Sequence, residues 1–354
     1  MTAFQQLHQP TGRLILKDGE LYRFFGGTAY LGLLDNPDYI QLFKRGINSY
    51  GLNNGTSRSN NVQLGIYGQT EQVMATRFGF DSAAILSSGY LSAQIAVRTL
   101  SIGREVLYAP DAHPALWLDA NLSDRRSFDD WREDTINYIN SSPHQSFLII
   151  SNTLDNLTPR YYDFTPFAER CDPSKQLLFI LDDSHGIGIT KRDSVSVDLG
   201  FLDSGSNIDM VIVASLAKGL GTDAGIVMGK DSYIDQIKLN PIFRGASPPS
   251  PAAVYALLNG REVYNQAFAL LQDNIKLFQE LIGRDAGLSA IKNFPVFTSG
   301  DSHLYRYLLH RHVLISSFPY PLSNSPLLNR IVISALHQEE DLFYLAKAYL
   351  SKRQ

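Results

Sequence analysis

The feature that most constrains the fold of this chain is a series of six short apolar runs between about residues 81 and 228. The stretches between successive runs have a helical period. The six runs are Ala83–Ser87, Glu105–Ala109, Phe147–Ser151, Leu177–Leu181, Met210–Ser215 and Gly225–Met228. They are nearly continuous in apolar residues, as expected of strands that are covered on both faces. The pattern therefore predicts an α/β fold with a parallel sheet and crossover helices.

The pattern of apolar residues changes beyond Pro251 and predicts a second, smaller α+β unit. Residues Arg261–Ile282 form one long helical pattern with an apolar stripe of ordinary width. The other predicted elements of this unit are strands at Val296–Thr298, Val313–Ser316 and Arg330–Ala335 and a helix from Glu339 to about Ser351. Two further helices are predicted before the first apolar run. One is opened by Asn36-Pro37, and the other covers Gln69–Phe78 and can be stopped by Gly79.

Composition narrows the class of protein. The 354 residues carry 31 Lys+Arg and 35 Asp+Glu, a net charge of −4, with no basic block, so nucleic acid and anionic membranes are poor default partners. No apolar run approaches the roughly 18–20 residues that cross a bilayer. The first ten residues lack the features of a secretory signal, and the single cysteine, Cys171, fits a reducing compartment. We expect a cytoplasmic enzyme that acts on small molecules.

In open α/β sheets, ligands gather at the carboxyl ends of the strands, so the residues that follow each strand are the ones to inspect. Ser88-Gly89-Tyr90 follows the first run and leads into helical sequence. Backbone N–H groups at a helix N-terminus can bind a phosphate. An ordinary strand-to-helix turn capped by Ser88 is the alternative on this evidence.

Asp182-Asp183-Ser184-His185 follows the fourth run. Two carboxylates and an imidazole at that place could bind a metal, perform acid–base chemistry or hold the ring nitrogen of a heterocycle. No second cluster of metal-ligating residues stands out, so no metal site is predicted. A structural role, with Asp183 as a cap and His185 packed, remains open.

Lys218 follows the fifth run and precedes two glycines. A lysine just beyond a buried strand is accessible yet partly desolvated, which lowers its pKa and suits Schiff-base chemistry. An exposed loop lysine is the alternative. A phosphate-binding P-loop is excluded because Ala224 and Asp231 occupy required positions, and the SxxK pattern at Ser215 lacks a KTG partner.

The residues at the three strand ends, taken together, indicate a more specific function than any one of them does alone. A phosphate cradle, an acidic residue on one strand and a lysine on the next are what pyridoxal phosphate (PLP) requires. The phosphate is held at the helix start, the aldehyde bonds the lysine, and a carboxylate keeps the pyridine nitrogen protonated.

These residues stand in a chain that resembles the α-oxoamine synthase family of fold-type-I PLP-dependent enzymes. The matching stretches run from about Tyr30 to the C-terminus: TAYLGL (28–33), GTSR (55–58), LSSGYLSA (86–93), DAH (111–113), LDDSHGIG (181–188), SLAKGLG (215–221), PPSPA (248–252) and RIVISALH (330–337). The resemblance implies the fold-type-I architecture. We divide the chain into an N-terminal segment (1–45) that packs with the small domain, a large PLP-binding domain (46–260) with a mainly parallel sheet, and a small C-terminal α+β domain (261–354).

The resemblance assigns the catalytic residues by position. Lys218 would be the Schiff-base lysine, and Asp182 would pair with the pyridine nitrogen. His185 would hydrogen-bond the 3-hydroxyl of the cofactor, and His113 would stack on its ring.

It also assigns the residues around the phosphate and the substrate. Ser88, Gly89, Tyr90 and Ser215 would bind the phosphate. Arg330 matches the arginine that binds the α-carboxylate of the substrate, and Tyr30 is a further expected substrate contact.

Several positions depart from the family pattern. Thr28 stands where Asn is usual, Ala217 where Ser or Thr precedes the lysine, and Gly245 where a Thr often reaches the phosphate of the other subunit. Ser316 replaces an arginine near Pro319, and the acidic segment at 151–156 is shortened. The cofactor residues are kept, whereas the departures mostly fall on the substrate side.

The expected function is an acyltransferase reaction that joins an amino acid to an acyl thioester carried on CoA or an acyl-carrier protein, in a homodimer with active sites at the subunit interface. The resembling family includes 8-amino-7-oxononanoate synthase, 2-amino-3-ketobutyrate CoA ligase and serine palmitoyltransferase, and the expected reaction is similar to theirs. An aminotransferase, an aldolase-type enzyme of the same fold, and a relative that binds the cofactor without turnover are the alternatives.

Overall fold

The computed structural model describes residues 4–119, 126–200, 207–283, 287–319 and 325–353. The strands are β1 (Leu14–Lys17), β2 (Glu20–Phe25), β3 (Ser82–Leu86), β4 (Glu105–Tyr108), β5 (Ser146–Asn152), β6 (Leu154–Asp155), β7 (Arg160–Tyr161), β8 (Gln176–Asp182), β9 (Ile208–Ser215), β10 (Gly225–Gly229), β11 (Val296–Ser299), β12 (Val313–Pro319) and β13 (Leu327–Val332). The helices are α1 (Pro37–Tyr50), α2 (Ile66–Phe78), α3 (Gly89–Leu100), α4 (Phe128–Ser141), α5 (Thr165–Arg170), α6 (Asp231–Leu239), α7 (Pro241–Gly245), α8 (Pro251–Asn259), α9 (Arg261–Ile282), α10 (Leu304–Leu309) and α11 (Glu339–Arg353).

The central sheet has the strand order β3-β10-β9-β8-β5-β4. Strands β4, β5, β8 and β9 are parallel to one another, which confirms a mainly parallel α/β sheet. The residues of β5, β8 and β9 are almost entirely buried, as the continuous apolar runs predicted, whereas those of β4, at the edge of the sheet, are half-buried.

The expectation of a parallel strand at Gly225–Met228 is wrong. Strand β10 runs antiparallel to both β9 and β3. Only residues 216–224 join β9 to β10, which is too short for a helical crossover, so the chain returns in the opposite direction.

A second sheet has the order β1-β2-β12-β13-β11. The hairpin of β1 and β2 is joined to the C-terminal strands through a parallel pairing of β2 with β12. Helix α1 packs instead against α8, and Gly46 permits the close approach because a Cβ there would lie 2.7 Å from the Ala252 backbone. The division into three units stays a prediction.

Strand β13 begins three residues earlier than expected. Arg330 therefore lies inside the strand, paired in register with Thr298 of β11 and Ser316 of β12, and does not open it. The bounds of β13 follow from its pairing with β11 and β12, which together cover residues 327–332.

The predicted caps are present at the helix ends that position the site. The Asn36 side chain accepts hydrogen bonds from the N–H groups of Asp38 and Tyr39, and Ser88 accepts one from Leu91 N at the start of α3. Gly79 ends α2 in the left-handed region at φ 81°, although this helix begins at Ile66 rather than Gln69. Among the described residues, no helix combines the length and apolar character that a bilayer span requires.

Candidate active site

The carboxyl ends of β8 and β9 bring the predicted lysine and histidine together. Lys218 Nζ lies 3.1 Å from His185 Nε2, and each residue follows its own strand by three positions. The other ring nitrogen of His185, Nδ1, lies 2.7 Å from the hydroxyl of Tyr30, which is fully buried. A lysine, an imidazole and a phenol therefore form one hydrogen-bonded row.

Four predicted catalytic residues line a single cleft. Lys218, His185, Asp182 and His113 face it, and residues 152–157 form the facing wall. These residues come from three parallel strand ends, so the structure places them where the sheet topology predicted.

His113 is held at the edge of this cleft by two hydrogen bonds. Its backbone N–H donates to Asn152 Oδ1 at 3.2 Å, and its Nδ1 accepts from Ala115 N at 3.2 Å. Asn152 also donates to the carbonyl of Asp111 at 2.8 Å. Asn152 was not singled out from the sequence, although its position directly after a predicted strand was a usable signal.

The adjacent acids Asp182 and Asp183 have different environments. Asp182 faces the cleft, and its Oδ1 accepts a hydrogen bond from Ser184 N at 2.8 Å. Asp183 has no exposed surface, and it accepts from Thr153 Oγ1 at 2.6 Å and from both the N–H and the hydroxyl of Ser196. Burial raises the pKa of Asp183 to about 6. Asp183 thus fastens the loop behind the site, and Asp182 is the carboxylate that a ligand can reach.

The electrostatic surroundings favour uncharged forms of the two basic groups. Burial lowers the pKa of Lys218; the charge of Asp182 opposes that shift and the charge of Arg330 adds to it. Burial also holds the pKa of His185 well below its usual value, with further lowering by Lys218, Arg330 and His113. A lysine with a lowered pKa is a better nucleophile near neutral pH.

Beside the cleft, the start of α3 is packed tightly against the end of β9. A Cβ on Gly89 would lie 2.5 Å from Ser215 Cβ and 2.6 Å from Ser215 Cα, so no side chain fits there. A Cβ on Gly225 would collide with the carbonyl of Ser88. The N–H groups of the first helical turn, Gly89 and Tyr90, have no acceptor within the helix. Gly225 was missed from the sequence, where it reads only as the first residue of a strand.

Ser88, Gly89, Tyr90 and Ser215 therefore form a backbone cradle next to the cleft rather than part of its lining. The side chain of Tyr90 is 60% exposed, so Tyr90 could contribute to the cradle only through its backbone. The phosphate role of these four residues stays a prediction.

Arg330 is a buried cation with unused donors. It is 4% exposed, and its Nε and Nη2 atoms have no hydrogen-bond partner among the described residues. Burial, the larger effect, raises the pKa of Tyr30 on balance, whereas the charge of Arg330 lowers it. A buried charged group without a partner is costly, so these donors call for an anion.

The departures from the family pattern lie outside the cofactor residues. Thr28 and Ala217 line a second pocket together with Gly26, Gly27 and Leu336. The Ser316 hydroxyl accepts a hydrogen bond from Gly27 N at 3.0 Å. The last residue of α7, Gly245, has open space around the position of a Cβ.

Comparisons with known proteins bear on this arrangement. No family model matches the chain. Curated relatives include the 8-amino-7-oxononanoate synthases of Pseudomonas syringae pv. syringae, 23% identical over 95% of this chain and 88% of the relative, and of Alcanivorax borkumensis, 25% identical over 96% and 91%. The resemblance to the α-oxoamine synthase family is thereby confirmed.

Solved structures share the fold. The serine palmitoyltransferase of Sphingomonas wittichii superposes with a TM-score of 0.81 at 17% identity, covering 98% of this chain and 91% of that one. The 8-amino-7-oxononanoate synthase of Francisella tularensis gives 0.68 at 16% identity, covering 94% and 97%. The fold-type-I architecture expected of an α-oxoamine synthase is thereby confirmed.

Proposed function

We propose that this chain is a PLP-dependent acyltransferase that condenses an amino acid with an acyl thioester. The observation that carries the proposal is the pair of unpartnered donors on buried Arg330, beside the hydrogen-bonded Lys218 and His185. A carboxylate satisfies both donors at once in the two-pronged geometry that arginine prefers. An amino acid held there has its α-carbon close to the lysine.

The residues present fit the cofactor. Gly89 and Gly225 keep the turn before α3 free of side chains, which leaves its N–H groups open to a phosphate. Lys218 would bond the aldehyde carbon, Asp182 would hold the proton on the ring nitrogen, and His185 would bind the 3-hydroxyl. When bound, PLP accepts the electron pair released at the α-carbon of the substrate.

Two further groups complete this binding site. Ser215, at the end of β9, would add its hydroxyl to the phosphate cradle, and His113 would cover the ring face from the cleft wall. Tyr30 lies fully buried behind His185 and outside the lining of the cleft, so its expected role as a substrate contact stays a prediction.

The protein side chains then divide the work of the reaction. Arg330 binds and orients the amino acid through its carboxylate, and Lys218 moves the proton at the α-carbon. Asp182 keeps the ring nitrogen protonated because its negative charge favours the cationic form. In the overall reaction, a bond forms between the α-carbon and the acyl carbonyl carbon, the thiol leaves, and the carboxylate leaves as CO2.

The acyl donor is proposed to be a thioester of CoA or of an acyl-carrier protein. Thr28 and Ala217, which depart from the family pattern, line one pocket next to Lys218. Because none of the residues assigned to the cofactor lines this pocket, we propose that Thr28 and Ala217 change the choice of substrate and leave cofactor binding intact.

We further propose a homodimer with active sites at the subunit interface and a cytoplasmic location. Leu52, Val62 and Leu239 are each at least 70% exposed, which supports an apolar contact surface. The one cysteine, Cys171, is free and buried, which supports a reducing compartment. Light scattering of the purified protein at several concentrations tests the dimer, and a monomer at all concentrations would refute it.

The test of the reaction is thiol release. Protein purified with added PLP is incubated with each amino acid and with acyl-CoA compounds of increasing chain length, and free thiol and CO2 are measured. We expect both products in equal amounts, and only when both substrates are present. Keto-acid formation without thiol release would favour an aminotransferase, an aldehyde product would favour an aldolase, and no reaction with any substrate would favour a non-catalytic relative.

A further inference from the structure

Three side chains form a continuous row of polar contacts behind the cleft. The Tyr30 hydroxyl contacts His185 Nδ1 at 2.7 Å, and His185 Nε2 contacts Lys218 Nζ at 3.1 Å. Tyr30 is fully buried, so water has little access to its end of the row. Tyr30 is not part of the cleft lining.

The Tyr30 hydroxyl sets the direction of the hydrogen bonds in the row. It is fully buried, and the contact it makes is with His185 Nδ1 at 2.7 Å. A buried hydroxyl proton without an acceptor is costly, so Tyr30 donates to His185 Nδ1, which must be unprotonated. A neutral imidazole with a bare Nδ1 carries its proton on Nε2, so His185 donates to Lys218. Lys218 Nζ can accept only as the free amine.

The charged groups that face the row agree with this direction. His185 faces Lys218, Arg330 and His113, each of which disfavours an imidazolium. Lys218 faces Arg330, which disfavours an ammonium, and Asp182, which favours one. The hydrogen bonds of the row therefore favour the neutral amine of Lys218, whereas the charge of Asp182 favours the ammonium form.

We propose that Tyr30 is a positioning residue that fixes His185 in its Nε2–H tautomer and thereby holds Lys218 as a neutral amine. The inference deepens the proposed function, on which its purpose rests, because a free amine is the form that bonds an aldehyde. Without the Tyr30 hydroxyl, His185 could place its proton on Nδ1. Its bare Nε2 would then accept a hydrogen bond from Lys218 and stabilise the ammonium.

The first measurement is the tautomer of His185 in the full chain freed of cofactor. Protein labelled with 15N-histidine is studied by NMR, and the His185 signals are assigned by comparison with His185→Asn. We expect a bare Nδ1 and a protonated Nε2 in the wild type. A wild-type His185 with its proton on Nδ1 overturns the proposal, whatever the behaviour of any variant.

The second measurement is the reactivity of the Lys218 amine. Acetic anhydride labels the same cofactor-free protein over a range of pH, and mass spectrometry follows the peptide that contains Lys218. In Tyr30→Phe we expect mixed tautomers of His185 and, at neutral pH, an about tenfold slower labelling of Lys218, equivalent to about one unit of pKa. Unchanged tautomer and unchanged labelling in Tyr30→Phe overturn the proposal.

Tyr67→Phe is the matched control. Tyr67 is 1% exposed and donates a single hydrogen bond of 2.9 Å to the carbonyl of Pro249, outside the row. This variant should keep the wild-type tautomer and labelling rate. Both measurements use protein without PLP or substrate, so their failure is distinct from failure of the acyltransferase proposal, which is read by thiol release.

Discussion

Lys218 Nζ and His185 Nε2 lie 3.1 Å apart, although the two residues are 33 positions apart in the sequence. Each residue follows the end of one of two neighbouring parallel strands. The contact exists because parallel strands direct their carboxyl ends to one edge of the sheet. It puts an amine of lowered pKa next to a histidine that burial keeps neutral. The predictions below start from this pair and from the groups around it.

Borohydride reduction of the PLP-loaded protein should attach the cofactor to Lys218. Peptide mass mapping of the reduced protein checks this, with Lys175 as the internal control. Lys175 is buried, and its Nζ already donates to the carbonyls of Ser142 and His144 at 2.8 and 2.9 Å. A phosphopyridoxyl group on Lys175 or on any other lysine would refute the assignment.

Asp182→Asn should keep the cofactor but lose most α-proton exchange with a substrate amino acid. A neutral amide no longer favours the protonated ring nitrogen, and ion pairing of this kind is worth about 1–3 pKa units. Exchange is measured by NMR in deuterated water. Asp183→Asn is the control, and it should retain exchange in the fraction that folds, because Asp183 lies behind the site. Wild-type exchange in Asp182→Asn would remove Asp182 from this role.

Asp183 should make the stability of the fold depend on pH. Its pKa is about 6 in the folded protein against 3.8 for the free side chain, so the folded state binds the proton more tightly. The protonated Asp183 carboxyl stabilises the folded state fully below pH 4, and this stabilisation is lost as the pH rises through 6. The loss in unfolding free energy is about 3 kcal/mol, at about 1.4 kcal/mol per pKa unit.

Urea unfolding of wild type and Asp183→Asn between pH 4.5 and 7.5 measures this dependence. The difference in unfolding free energy between the two proteins should change across that range in the stated direction. Parallel curves would show that the Asp183 carboxyl does not titrate in this window.

Arg330→Lys should weaken binding of the amino acid by roughly tenfold to a hundredfold, since a lost charge-assisted hydrogen bond in a buried site is worth about 1.5–3 kcal/mol. Lysine offers a point charge instead of the two-pronged fork. Titration with amino acids and with the matching decarboxylated amines is followed by the cofactor absorbance.

The decarboxylated amines isolate the role of the carboxylate, because their affinity should be the same in wild type and variant. Arg23→Lys serves as the control, since Arg23 pairs with Asp341 at 3.1 Å on the other side of the second sheet. Equal discrimination between acid and amine in Arg330→Lys and wild type would contradict the carboxylate site.

Gly89→Ala should destabilise the fold and weaken PLP binding. The added Cβ would lie 2.5 Å from Ser215 Cβ, and such overpacking commonly costs about 1–3 kcal/mol. Gly68→Ala, inside α2 with open space around its Cβ position, should instead gain up to about 1 kcal/mol. Thermal unfolding with and without PLP compares them, and equal behaviour of the two variants would contradict the close packing at Gly89.

The predicted strands agree with the observed ones to within one or two residues in the central sheet, because each was a continuous apolar run bounded by turn residues. Strands β1 and β2 were not predicted. They lie at one side of the second sheet, and most of their residues are half-buried or exposed, so they lack the continuous burial of the central strands.

Residue types and their places after strands were enough to predict Lys218, His185 and Asp182 as members of one site, because strand direction brings successive strand ends together. His113 was assigned to that site only by the family resemblance. The tertiary structure alone decided which of two adjacent carboxylates faces the cleft, that β10 turns back, and that Arg330 of the second sheet is buried with unused donors. Those relationships depend on contacts between distant parts of the chain, where burial and unmet hydrogen bonds, and not local periodicity, determine the role of each side chain.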